Sequence, residues 1–255
     1  MTGGLYVYGI APHDAAIPAL PDGLGGAPVT LLPSGDFAVL ASPVDGGAIA
    51  RTRRNLLAHT SVLERALPHA TLLPLRFGTV FPARAALAAC VVAHGAAFAA
   101  ALQDMAGKVE LGVKAGWRDG VIYADIIERD HGLRHLRDIL RSRPAGETYY
   151  ERIELGRRVE AALAQRRAAE AHDILEALLP LAERDAALRL TDDDMICNHA
   201  FLVRRAREPA FDAAMERLAA AHGARIVFRY IGPLPPFNFV TVQAGWSLAQ
   251  PAEAV

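Results

Sequence analysis

The pattern of apolar and polar positions changes period along the chain, and the changes mark out elements. Leu5–Ile10 (LYVYGI) is rich in strand formers and stops before Pro12. Ala15–Ala27 is dense in proline and glycine and reads as a loop. Two short apolar runs, Val29–Leu32 and Phe37–Ala41, flank Pro33-Ser34-Gly35-Asp36, which is a hairpin signal. Arg51–Leu67 then switches to helical spacing, with Leu56, Leu57, Val62, Leu63 and Leu67 on one side and Pro68 as the stop. Thr71–Leu75 returns as a strand and runs into Arg76-Phe77-Gly78-Thr79-Val80-Phe81. After Pro82, Ala83–Met105 reads as an alanine-rich helix ended by Gly107.

The second half opens on a clean alternation. In Lys108–Trp117, Val109, Leu111, Val113, Ala115 and Trp117 face one way, and Lys108, Glu110, Gly112, Lys114 and Gly116 face the other. Period two with one polar side predicts an antiparallel strand over a core. Asp119–Arg141 reads as helical, with Ile122, Ile126 and Ile127 leaving its start ambiguous, and Pro144-Ala145-Gly146 breaks it. Glu147–Arg184 reads as a long helix bent near Pro180, and its middle, Gln165-Arg166-Arg167, lacks an apolar stripe. A helix polar on nearly every side there projects into solvent or meets a partner, which makes Arg166 and Arg167 candidate contact residues. Strands are predicted at Ala187–Leu190 and Met195–Arg204, joined through Thr191-Asp192-Asp193-Asp194. A helix over Pro209–His222 and a strand over Arg225–Ile231 follow, then the proline-aromatic segment Gly232–Val240. The tail after Leu248 reads as frayed.

These elements predict an α+β fold of two units divided at residues 106 and 107. From Lys108 the order is strand, helices, strand, strand, helix, strand, a ferredoxin-like βαββαβ unit with an enlarged first crossover. Residues 1–106 follow a modified version of the same theme, with the first helix replaced by a loop. No Gly/Ser linker separates the two.

Composition narrows the function. With 27 Lys+Arg against 28 Asp+Glu and a net charge of -1, the chain lacks the basic excess of a generic nucleic-acid binder. All but Lys108 and Lys114 of the basic residues are arginine. Cys90 and Cys197 are far apart in apolar surroundings and form neither a CxxC pair nor a disulfide framework. The opening MTGGLYVYGI lacks the basic and long apolar regions of a signal peptide. Ala85–Leu102 has the length to be weighed as a membrane span, but it is mostly alanine and is interrupted by His94 and Gly95. It reads as a buried helix, so no membrane span and no nucleic-acid partner are predicted.

Candidate chemistry is thin. His131 and His135 lie four apart with Glu128 and Asp138 at helical offsets, residue types that bind zinc from a shared face. The intervening Gly-Leu-Arg carries no glutamate of the HExxH kind, and a solvated face explains the four residues more simply. Asp192-Asp193-Asp194 lacks the alternating ligands of a calcium loop. No nucleotide fingerprint or GxSxG elbow occurs, so neither catalytic residues nor cofactor nor metal sites are predicted. Two stretches are unusual in another way. Leu72–Phe81 sets Arg76 beside Phe77 and Phe81 in an apolar run, where the guanidinium is either paired internally, the reading burial cost favours, or exposed at an edge. Gly232–Val240 gathers Pro235, Phe237 and Phe239 into a rigid segment that either seals an edge or offers a docking surface.

Seven segments in this order carry a family resemblance: LYVYGI, LLAHTSVLE (Leu56–Glu64), LLPLRFGTVF (Leu72–Phe81), KVELGVKAGW (Lys108–Trp117), YYERIELGRRVE (Tyr149–Glu160), NHAFLVRR (Asn198–Arg205) and RYIGPLPPFNFV (Arg229–Val240). Together they resemble the GvpL/GvpF family of gas vesicle proteins across nearly the whole chain. The resemblance implies a non-enzymatic structural or assembly role in cytoplasmic gas vesicles. It implies partners among the main hydrophobic shell protein and the other gas vesicle proteins, and two α/β domains of which the first is a modified ferredoxin-like one. Candidate contact residues are Arg76, Phe77, Phe81, Arg166, Arg167, Pro235, Phe237 and Phe239.

Overall fold

The computed structural model describes residues 3–45 and 49–240; the tail expected to fray lies outside them. The described residues form two compact units. The first holds residues 3–45, 49–111, 202–205 and 231–240, and the second holds Gly112–Phe201 and Ala206–Tyr230.

The first sheet is built from β1 (Gly4–Pro12), β2 (Thr30–Ser34), β3 (Phe37–Val44), β4 (Leu73–Pro74) and β5 (Val80–Phe81). Its order is β2-β3-β1-β4, with β5 also on β1. All its pairings are antiparallel. The register of β1 against β3 shifts between Val7 and Gly9. That irregularity resets the side-chain alternation, so Val7 and Ile10 both enter the same core cluster. Helix α2 (Arg84–Met105) supplies Leu87, Val91, Phe98, Leu102 and Met105 to that cluster. It is the one described helix long and apolar enough to cross a membrane, and this face of it packs on the sheet.

Tyr6 and Tyr8 belong instead to a cluster with helix α1 (Arg53–Ala66), where Tyr8 stacks on His59 and Tyr6 meets it edge-on. The helix starts at Thr52, whose side chain accepts from Asn55 N at 3.2 Å, and stops short of Pro68, whose ring cannot continue it. A Cβ on Gly9 would lie 2.9 Å from Leu63 Cδ2 and 3.0 Å from Leu73 O, so only glycine lets this helix approach β1.

The second sheet has the order β7-β8-β6-β9, from β6 (Lys108–Trp117), β7 (Arg184–Ala187), β8 (Met195–Arg204) and β9 (Ile226–Leu234). Reading each sheet by chain order gives second-third-first-fourth, the ferredoxin-like arrangement, in both cases. The fold is α+β, with a loop in place of the first crossover helix in the first unit.

Several elements differ from the sequence reading. Asp119–Arg141 is not one helix but two, α3 (Val121–Arg129) and α4 (His131–Arg141). Asp130 breaks the run by capping α4, accepting from Gly132 N at 2.8 Å and Leu133 N at 3.0 Å. Glu128 therefore sits on α3 while His131, His135 and Asp138 sit on α4, and the shared face disappears. The long helix α5 is Tyr149–Leu178 and does not reach Arg184, because the chain turns at Pro180 into β7. That strand precedes the predicted Ala187–Leu190, and β4 is only two residues long. The polar face expected for β6 fails at Glu110, which is buried.

Candidate protein-contact site

The outer edge of the first sheet is broken. Leu75 N donates to Tyr8 O at 2.8 Å and Val7 N donates to Thr79 O at 3.0 Å, so β1 holds the chain on both sides of the break. Between those bonds the chain loops out. Thr79 donates to the Arg76 carbonyl from both N (3.2 Å) and Oγ1 (2.8 Å), closing a tight turn. Gly78 sits at φ 92°, a region other residues avoid. Its N–H donates to Tyr6 Oη at 3.1 Å, and the same oxygen lies 2.9 Å from His59 Nδ1.

That chain of contacts sets the imidazole tautomer. Tyr6 is fully buried, and its oxygen already accepts from Gly78. Its proton must find an acceptor, and Nδ1 is the one within reach. His59 then carries its own proton on Nε2. This nitrogen is shielded from solvent, the ring being only 4 % exposed, and the Leu75 backbone lies close enough to the ring to bond it weakly. Burial lowers the His59 pKa to about 4, with the Leu75 backbone pulling weakly the other way, so the ring is neutral at physiological pH.

The facing wall comes from 235–240. Pro235 and Pro236 are buried, and Pro236 O accepts from Phe239 N at 3.1 Å and Val240 N at 2.9 Å. Glu110 clamps the segment from beneath: Oε2 accepts from Asn238 N at 2.7 Å and Oε1 from Asn238 Nδ2 at 2.5 Å. Burial pushes the Glu110 carboxyl up to about 7, against the pull of the two Asn238 donors.

Between these walls lies a cleft of about 350 Å³. Leu56, Pro74, Leu75, Phe77, Phe237 and Val240 make it apolar, while His59 and Thr60 from α1 add polar atoms and Arg76 stands at its lip. Phe77 is half-buried, its ring edge-on to Tyr6 at 6.1 Å and to His59 at 5.8 Å.

The predicted contact residues thus separate. Arg76, Phe77 and Phe237 meet at the cleft. Arg76 is exposed and pairs with no carboxylate among the described residues, so internal pairing, the favoured reading, is replaced by exposure at an edge. Phe81 is in the core cluster, and Phe239 packs against it. Arg166 and Arg167 are engaged inside the second unit. Arg166 bonds Glu170 at 2.8 Å and pairs with Asp125 at 3.7 Å. Arg167 lies 5.4 Å from the Trp117 ring centroid and donates to Asp193 O. His59, Tyr6, Glu110 and Asn238 escaped the sequence reading. For His59 a signal existed: it falls three and four residues before Val62 and Leu63, on the apolar stripe.

What these features define is an α+β protein of two ferredoxin-like sheets, with an apolar, partly polar-floored cleft where one sheet edge is interrupted. Among the described residues no three His, Cys, Asp or Glu side chains gather to hold a metal. The chain belongs to the GvpL/GvpF family: the model of gas vesicle synthesis protein GvpL/GvpF matches residues 4–241. It is 35% identical over 242 residues to gas vesicle protein F of Streptomyces sp. (strain CB03234), covering 92% of this chain and 98% of that protein. Gas vesicle protein L of the same strain is 28% identical over 257 residues, covering 93% and 92%. The crystal structure of GvpF from Anabaena sp. PCC7120 superposes with a TM-score of 0.81 at 28% identity, covering 93% of this chain and 98% of that one. The chain is therefore a gas vesicle protein of a structural and accessory family, and LLPLRFGTVF and IGPLPPFNFV, two of its recognisable segments, form the two walls of the cleft.

Proposed function

We propose that this protein is an F-type gas vesicle assembly accessory that binds the main hydrophobic shell protein, and other gas vesicle proteins, in the cytoplasm during vesicle formation. The F-type assignment is supported by 35% identity to the F protein of one strain against 28% to the L protein of that strain. The binding role is supported above all by the cleft. A soluble protein that holds two aromatic rings half-exposed around an open apolar cleft leaves burial energy unspent, and an apolar partner segment recovers it.

The test is co-purification of the shell protein with the wild type and with a Phe77→Ala/Phe237→Ala variant. The variant is expected to keep its circular dichroism spectrum and to lose most capture. Equal capture by the folded variant removes the cleft from the binding surface. Normal vesicles in a strain lacking this gene and any paralogue remove the assembly role altogether.

A further inference from the structure

We infer that the outward face of helix α5 pairs antiparallel with the same face of a second copy of this chain, forming a two-fold dimer. That face lies wholly in the second unit and is separate from the cleft.

The burial pattern of α5 leads to it. Between Tyr149 and Ala169 no residue of the helix is buried; its buried residues begin at Glu170. One side of this stretch rests on α3 and α4. The other carries exposed apolar area: Tyr149 is 63 % exposed, Tyr150 81 % and Ile153 46 %. Helical spacing sets these three in line with Gly156, Arg157, Glu160, Ala161, Ala164 and Ala168, all exposed. The stripe is therefore bulky at its N-terminal end, charged in the middle and small at its C-terminal end.

A stripe graded in this way complements itself when reversed, which is the requirement of an isologous interface. With the two-fold axis between Arg158 and Val159, Ile153 falls on the partner's Ala164 and Tyr149 on the partner's Ala168. Gly156 meets the partner's Ala161, and open space where its Cβ would stand lets the backbones come close. At the centre Arg157 faces the partner's Glu160, twice by symmetry. Both charges are available for this. Glu160 is exposed and has no ion-pair partner among the described residues. Arg157 reaches Glu154 at 3.5 Å, a carboxylate that Arg158 already bonds at 2.8 Å. A parallel pairing in register would set Arg157 on Arg157 and tyrosine on tyrosine, so charge and size both select the antiparallel one.

The experiment is sedimentation velocity of the full chain over a concentration series reaching about 0.1 mM, which resolves a micromolar dimer. The wild type is expected to shift from monomer to dimer across the series. Arg157→Glu sets like charges across both central pairs and should weaken the dimer about tenfold; Glu160→Arg should do the same. The double swap Arg157→Glu/Glu160→Arg restores opposite charges and should return to within about threefold of wild type. Ala164→Arg, which drives a long cation onto Ile153, should leave only monomer. All these positions are exposed, and circular dichroism confirms that each variant is folded. A wild type that stays monomeric throughout overturns the proposal. So does a dimer that Arg157→Glu and Ala164→Arg leave unchanged. Failure of the double swap to restore the dimer overturns the antiparallel register.

Discussion

The two sheets share one strand order and part company at the fourth strand. In the second sheet that strand, β9, runs unbroken over nine residues. In the first, two strands of two residues each, β4 and β5, pair β1 on either side of a looped-out turn. The interruption sacrifices edge hydrogen bonds and replaces them with side-chain anchors: Tyr6 to Gly78, and Thr79 to Arg76. What it gains is a concavity, since the looped chain brings Phe77 and Arg76 to face the 237–240 wall. An intact edge offers a flat ladder, whereas a broken edge offers a cleft with its own chemistry.

Two buried carboxylates extend the contrast. Glu110, in the first unit, accepts from the neutral donors of Asn238, and burial drives its pKa up to about 7. Glu170, in the second, is pushed upward by burial too, but Arg225 at 2.5 Å, Trp117 Nε1 at 2.5 Å and Arg166 at 2.8 Å outweigh that and hold it low. Burial has the same sign at both sites, and the partners decide the outcome.

The largest expected effect separates core from cleft among the phenylalanines. Phe81→Ala opens the first unit's core and should cost about 4 kcal/mol in urea unfolding, whereas half-exposed Phe77→Ala should cost about 1 kcal/mol. Equal costs would erase the distinction between a structural and a docking aromatic. Glu170→Ala strands two arginines and an indole N–H and should cost about 3 kcal/mol, at the low end for a broken buried pair because both arginines are partly exposed.

The pH dependence should then run in opposite directions at the two carboxylates. Folded Glu110 keeps its proton to about 7 against an ordinary 4.5, so between these values the folded state binds more protons than the unfolded one. Its contribution is complete below the ordinary value and is lost as pH rises through the folded one, a swing of about 3 kcal/mol. Glu170, held low, contributes above the ordinary value and loses that contribution as pH falls. Unfolding free energies of the wild type minus Glu110→Gln at about pH 5 and about pH 8 should show the first slope; identical slopes in both proteins contradict it. The smallest effect concerns the turn itself. Gly78→Ala forces a side chain into the left-handed region and should cost about 1 kcal/mol.

Much of this was visible in the residues. The alternation of Lys108–Trp117, the stripe of α1 and the punctuation by Pro68, Pro82 and Gly107 led to the right element order, and element order led to the ferredoxin-like arrangement. Misses arose where long-range partners overrule local pattern. Glu110 alternates like a solvent-facing residue, and only Asn238, 128 positions later, makes its burial tolerable. Arg166 and Arg167 read as projecting into solvent or meeting a partner because Trp117 and Glu170, which engage them, are invisible to periodicity. Asp130 read as one more polar residue in a helix, although an aspartate before His-Gly is also a cap. Of the cleft, Arg76, Phe77 and Phe237 stood out in the sequence, while the Tyr6–His59 pair that shapes its floor did not.

The most direct test of the cleft as the docking site is site-specific photocrosslinking in cells that make the shell protein. A photoreactive phenylalanine analogue is placed at position 77, at position 237, or at exposed position 227 on the unbroken strand β9. The account predicts adducts with the shell protein from 77 and 237 and none from 227. Adducts from 227 with none from 77 or 237 would contradict it.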